Sequence, residues 1–151
     1  MGRKVDISEL YDILRANPES YVLCCDVERL MPINETFGHG AGDCVIREAF
    51  RRIDAAAGDS MTAFRIGGDE FALVTGLSDP EQVRAIGEGL LAQNGGTIEF
   101  EGNTIPVGLH IGAIKLASEH LRYSELFNRL DSTIRGIHEP ENADTEVLFV
   151  E

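Results

Sequence analysis

The chain has 151 residues, 43% of them apolar, with 13 Lys and Arg against 26 Asp and Glu for a net charge of −13. That length predicts one domain with its own core, and the apolar content excludes a disordered chain. The acidity argues against a nucleic-acid surface, no apolar run is long enough to span a membrane, and Met1-Gly2-Arg3-Lys4 leads into Asp6-Ile7-Ser8 without a signal-peptide core.

Ile7, Leu10, Tyr11 and Leu14 recur at helical spacing with Asp6 or Ser8 as cap, and Asn17-Pro18 ends that helix. Residues 20–27 read as the first strand. It holds Cys24 and Cys25 which, with Cys44, make three cysteines. The odd count and the adjacent pair in an apolar strand predict reduced thiols in a cytoplasmic protein, and no Cys/His spacing suits zinc. Met31 is expected to be half-buried packing. Residues 32–37 predict a short helix broken by Gly38-His39-Gly40-Ala41-Gly42. Asp43 can then cap a long helix with Val45, Ile46, Ala49, Phe50 and Ile53 along one face.

Residues 61–75 read as a β-hairpin, with Phe64 and Ile66 before the glycines and Phe71-Ala72-Leu73-Val74 after them. Ser78-Asp79-Pro80-Glu81 opens a third helix with Val83, Ile86, Leu90 and Leu91 inward. Residues 96–100 and 105–114, joined across Glu101-Gly102-Asn103, predict a second hairpin, with His110 as strand packing. A helical pattern follows over 121–137 (Leu126, Leu130, Ile134), and residues 146–150 predict an edge strand. This order predicts an α+β fold with a mixed, mostly antiparallel sheet and helices packed over it.

Two acidic segments carry the chemistry. The first strand ends in Asp26-Val27-Glu28, and the hairpin turns through Gly67-Gly68-Asp69-Glu70. The glycines let an anionic ligand approach the backbone. Strand alternation would send Asp69 and Glu70 to opposite faces, leaving one to serve a ligand. Carboxylates from two strand ends are how Mg²⁺ is held, together with waters and substrate phosphates.

Asp26-Val27-Glu28, Ile33-Asn34, Phe37-Gly38-His39, Gly42-Asp43 and Gly67-Gly68-Asp69-Glu70-Phe71, in that order, resemble the GGDEF family of diguanylate cyclases. The resemblance covers nearly the whole chain. It implies a palm-like nucleotidyl-cyclase fold, a variant of the ferredoxin-like fold, as a single domain over residues 1–151 excised from a longer bacterial signalling protein with a sensor or regulatory domain. It implies condensation of two GTP into cyclic di-GMP across a head-to-head homodimer, with Mg²⁺ or Mn²⁺ as cofactor. Asp26, Asp69 and the Val27 carbonyl would hold metal. Glu70, with Asp69, would be catalytic, Glu70 either assisting deprotonation of the ribose 3′-hydroxyl or making a further metal contact. Gly67, Gly68 and Leu30 would contact substrate, and Asn34 and Asp43 would read the guanine edge. A carboxylate accepts from guanine N1–H and N2–H₂, a donor pair adenine lacks, so Asp43 implies GTP over ATP. Read alone, Asn34 and Asp43 can each equally cap a helix.

The chain departs from the family where phosphates would be clamped. Met31 stands where active cyclases often carry Lys, and His138 and Asn142 fall where Lys and Arg are common. An alternative is therefore a degenerate, inactive GGDEF module used for nucleotide sensing or protein interaction. Gly58 and Met61 replace the Arg and Asp of the family's product-inhibition motif.

Overall fold

The structure, a computed structural model, describes residues 9, 12, 13, 15–59, 61–66, 68–116 and 148–150. Ile7, Leu10, Tyr11, Leu14, Gly67, the helix expected over 121–137, His138 and Asn142 lie outside them. Helical backbone at residues 9, 12, 13 and 15, with the Ala16 N–H donating to the Asp12 carbonyl, agrees with a first helix.

The central strand is β1 (Tyr21–Val27), in a five-stranded sheet of order β2-β3-β1-β6-β7. β2 (Thr62–Arg65) pairs with β3 (Glu70–Val74), and β1 lies antiparallel to both β3 and β6 (Leu109–Lys115). At the other edge β7 (Leu148–Val150) runs parallel to β6. The expected mixed, mostly antiparallel sheet is what forms.

Every residue of β1 from Val22 to Val27 is buried, so both faces are covered, and its alternation sorts two cores. Leu23, Cys25 and Val27 join Leu73, Ile111 and the helix residues Val45, Ala49 and Ile53. Val22 and Cys24 join Phe64, Ala72, Val74 and Ile114 on the opposite face. Burial pushes the Cys24 thiol up to about 12, and raises that of Cys25 as well, so both are inert core thiols.

Two helices follow β1: α1 (Leu30–Phe37) and α2 (His39–Ala56). One residue, Gly38 at φ 91°, both ends α1 and begins α2, its N–H donating to the Asn34 carbonyl at 2.9 Å. The long helix therefore starts four residues before Asp43, which caps nothing. Asn34 is likewise inside α1, whose N-cap is Arg29. Both capping alternatives fall away. α3 (Pro80–Leu91) begins as expected, with Asp79 accepting from the Glu81 N–H and Pro80 in its first turn.

The predicted second hairpin needs correction. β4 (Thr97–Phe100) and β5 (Asn103–Pro106) form a separate two-stranded sheet, and β6 leaves it for the central one. Pro106 cannot donate to a ladder, which marks where the strand changes sheets. The hairpin turns in only two residues, Glu101 and Gly102, both at positive φ (47° and 82°), the handedness that two-residue hairpins favour. Asn94 then fixes the entry of β6: its amide donates to the Leu109 carbonyl and accepts from the Leu109 N–H, both at 2.9 Å.

Candidate functional site

The loop between β2 and β3 is longer than a Gly-Gly turn. Ile66 lies past the end of β2, its N–H donating to the Glu70 carbonyl at 2.8 Å, and Glu70 opens β3. Asp69 lies in the loop, outside the strand. Its carbonyl accepts from the Val27 N–H at 2.9 Å, which sews the loop to the end of β1. Glu70 pairs directly with Asp26 in the β1–β3 ladder.

Asp26, Asp69 and Glu70 therefore converge, each offering a carboxylate oxygen within 4.8 Å of the others. Opposite orientation of Asp69 and Glu70 was expected from strand alternation. Alternation does not apply, because Asp69 precedes the strand. Val27, the predicted carbonyl ligand, is the next residue of β1.

Asp26 is only 2% exposed. Its carboxyl is pushed up to about 8, first by burial, then by the charges of Asp69 and Glu70, a hydrogen bond with Asp69, and the charge of Glu28. Three crowded carboxylates share a proton unless a cation replaces it. Hard oxygen donors at this separation fit a divalent cation such as Mg²⁺.

Unfolded, an Asp titrates near pH 4. A raised folded value means Asp26 contributes stability at low pH and loses it as pH rises through about 8. Without metal, Asp26→Asn should become progressively more stable than wild type as pH rises across that window. Urea unfolding at several pH values checks this, and a gap independent of pH would refute it. Saturating Mg²⁺ should narrow the gap.

Glu28 parts company with Asp26, although the sequence presents them as a pair. Its N–H donates to the Gly108 carbonyl at 2.9 Å, and its carboxylate lies 3.6 Å from His110 Nε2. It faces β6, beside a cavity of about 300 Å³ that Arg29, Asn94 and Val107 also line. His110 is thus an acid's partner at a strand end as well as strand packing.

The predicted base-reading residues gather separately, on α1 and α2. Asn34 packs against Gly42 so closely that a Cβ built there would lie 1.8 Å from Asn34 Oδ1. That oxygen is buried without a hydrogen-bond partner among the described residues. Leaving such an acceptor unsatisfied costs about 1–3 kcal/mol. Asp43 is exposed on the next residue of α2. Leu30 opens α1 and packs partly buried against the core. Gly68 is exposed, its carbonyl accepting from the Arg65 guanidinium. Met31, expected half-buried, is 71% exposed, because it lies on the outer side of α1 away from Ile33.

Sequence reasoning missed Arg52, Asn94 and the Gly42 contact. Arg52 was findable: it sits at helical spacing among Val45, Ala49 and Ile53, a cation on an apolar stripe. Asn94 gives no local signal, since its partner is fifteen residues away.

The profile described as "Diguanylate cyclase, GGDEF domain" matches residues 6–141. The diguanylate cyclase TpbB of Pseudomonas aeruginosa is 36% identical over 101 residues, 66% of this chain. The chain spans 23% of that protein's length, and under two thirds of the other curated relatives. The crystal structure of the TpbB GGDEF domain superposes with a TM-score of 0.78 at 26% identity, covering 96% of this chain and 92% of that one. The GGDEF domain of DgcB from Caulobacter crescentus, solved in complex with c-di-GMP, reaches 0.80 at 18% identity over 98% of this chain and 89% of its own, a likeness of fold.

Proposed function

The chain belongs to the GGDEF family, and on that premise we propose that it is a diguanylate cyclase, condensing two GTP into cyclic di-GMP across a dimer of two copies. The observation that carries this is the convergence of Asp26, Asp69 and Glu70 at the end of the central strand. In this reading Asp26 and Asp69, with the Val27 carbonyl, hold divalent metal, and the helices present Asn34 and Asp43 to guanine. A divalent cation bound there supplies charge neutralisation for the α-phosphate and the departing pyrophosphate.

The protein's own part is positioning and proton handling. Glu70 accepts the proton of one ribose 3′-hydroxyl. The 3′-oxygen forms a bond to the α-phosphorus of the GTP on the facing copy, and the bond to the β-phosphate oxygen breaks, releasing pyrophosphate. The same transfer in the other direction closes the ring. Each copy holds one GTP, so a dimer is required. The carboxylate cluster leaves the triphosphate to metal and to loop backbone such as that of Gly67 and Gly68.

The test is calorimetric titration of a non-hydrolysable GTP analogue with Mg²⁺, an ATP analogue as control, followed by assay for cyclic di-GMP. Micromolar, guanine-selective binding and product formation support the proposal. A second reading, a non-catalytic module that regulates through nucleotide or protein contacts, is favoured by Met31, whose exposed thioether offers no charge to a triphosphate. No binding at high protein concentration would select it.

Met31→Lys adds a charge-assisted contact of about 1.5–3 kcal/mol if phosphates lie beside α1. The analogue should then bind at least about tenfold more tightly. Unchanged affinity in the same titration would place the triphosphate elsewhere.

A further inference from the structure

We infer that Gly42 is a positioning residue for guanine recognition: it leaves the space on α2 that holds the Asn34 side-chain amide in its binding orientation. This rests on the reading of Asn34 and Asp43 given above.

Two unfavourable features meet at one point. Glycine inside a helix weakens it relative to alanine, and Gly42 is the fourth residue of α2. Asn34 Oδ1 is a buried acceptor with no hydrogen-bond partner among the described residues. Neither serves the fold, since alanine at 42 would strengthen α2 and an apolar side chain at 34 would bury no orphaned oxygen. Departures of this kind gather where function constrains structure.

The geometry shows what the pairing achieves. A Cβ on Gly42 would lie 1.8 Å from Asn34 Oδ1, 2.8 Å from Cγ and 3.3 Å from Nδ2. The oxygen thus fills the notch, and Nδ2 is the end of the amide turned furthest from it. Asn34 then offers its N–H₂ as a donor, while Asp43, on the residue after Gly42, offers acceptors. A base edge that carries an acceptor beside an N–H and an amino group matches that pattern. Guanine has such an edge. Any side chain at position 42 evicts Oδ1, and the amide must take another rotamer. The displaced group is the end of a flexible side chain, so the fold tolerates the change while the donor is lost from its place.

The test combines binding, stability and a reporter on Asn34 itself. Gly42→Ala should bind the non-hydrolysable GTP analogue at least tenfold more weakly, with a Tm equal to or above wild type. Asn34→Ala/Gly42→Ala should bind no more weakly than Asn34→Ala alone, since both changes remove one interaction. Gly89→Ala, where an added Cβ meets nothing within 4 Å, controls for filling a helix glycine and should leave binding unchanged. Wild-type affinity in Gly42→Ala, or additive losses in the double variant, would overturn the inference. If the wild type binds no nucleotide, the proposed function fails, and the Asn34 side-chain N–H₂ resonances decide about Gly42. They should shift in Gly42→Ala, and resonances left in place would overturn the positioning role.

Discussion

Asp69→Ala is expected to reduce cyclic di-GMP formation by at least about a thousandfold, while the melting temperature stays within a few degrees of wild type. The separation follows from which part of Asp69 does what. Its carbonyl accepts the Val27 N–H, and alanine keeps that bond. Its carboxylate lies in a half-exposed loop and reaches Asp26 and Glu70. Removing it takes away a proposed metal ligand, a shared hydrogen bond and a like charge that raises Asp26. The last two oppose each other in stability. Turnover, Mn²⁺ affinity and a melting curve together check the prediction. A collapsed melt would mean that the carboxylate supports the fold, and turnover within tenfold of wild type would remove Asp69 from the metal site.

Arg52→Ala should be the most destabilising single change of a charged residue in the described structure. Arg52 is 3% exposed and joins three parts of the chain. Its Nε donates to Glu48 on α2, Nη1 to the Val107 carbonyl at 2.8 Å and Nη2 to the Gly96 carbonyl at 3.2 Å. Arg51 and Arg52 together hold the Glu48 carboxyl down to about 2. Losing three charge-assisted hydrogen bonds, one of them to the buried Val107 carbonyl, costs on the order of 3–5 kcal/mol. For a chain of this length that is a fall in Tm on the order of 10 °C. Arg52→Lys should recover little, because an ammonium cannot span three acceptors set in a fork. Thermal unfolding of the three proteins decides it, and a loss of only a degree or two would mean that solvent reaches those carbonyls.

Much of this was legible in the chain, for physical reasons. Helical spacing located Val83 and Leu90 on α3 and Val45, Ala49 and Ile53 on α2, because burial follows the 3.6-residue period wherever a helix covers a sheet. The Asp79-Pro80 start of α3 was readable because capping chemistry is local. The carboxylates were readable as residues, through the ordered motif from Asp26 to Phe71. Their arrangement was not. Convergence of Asp69 with Glu70 depends on the loop carbonyl reaching Val27, a contact across more than forty residues. The separation of Glu28 from Asp26 depends likewise on Gly108 and His110, brought in by β6. The start of α2 was misjudged because Gly38 begins it without a polar cap, so the letters Gly42-Asp43 imitate a helix start that lies four residues upstream. The split of the second apolar segment had one local clue, Pro106.

The place of β1 at the middle of the sheet has a consequence in time as well as space. From Val22 to Asp26 every residue faces a partner on β3 and another on β6. Amide hydrogens there should exchange with solvent only when the whole sheet opens, at the slow limit for the protein. Asp26 therefore rides on a segment paired along both edges, while Asp69 lies in a loop tied to that segment through the Val27 N–H. An ion bound at this corner would join the central strand to that loop a second time, through side chains as well as backbone. Deuterium uptake at the Val27 amide, which bonds to the Asp69 carbonyl, should slow on ion binding while that of Val22 to Asp26 stays near its floor.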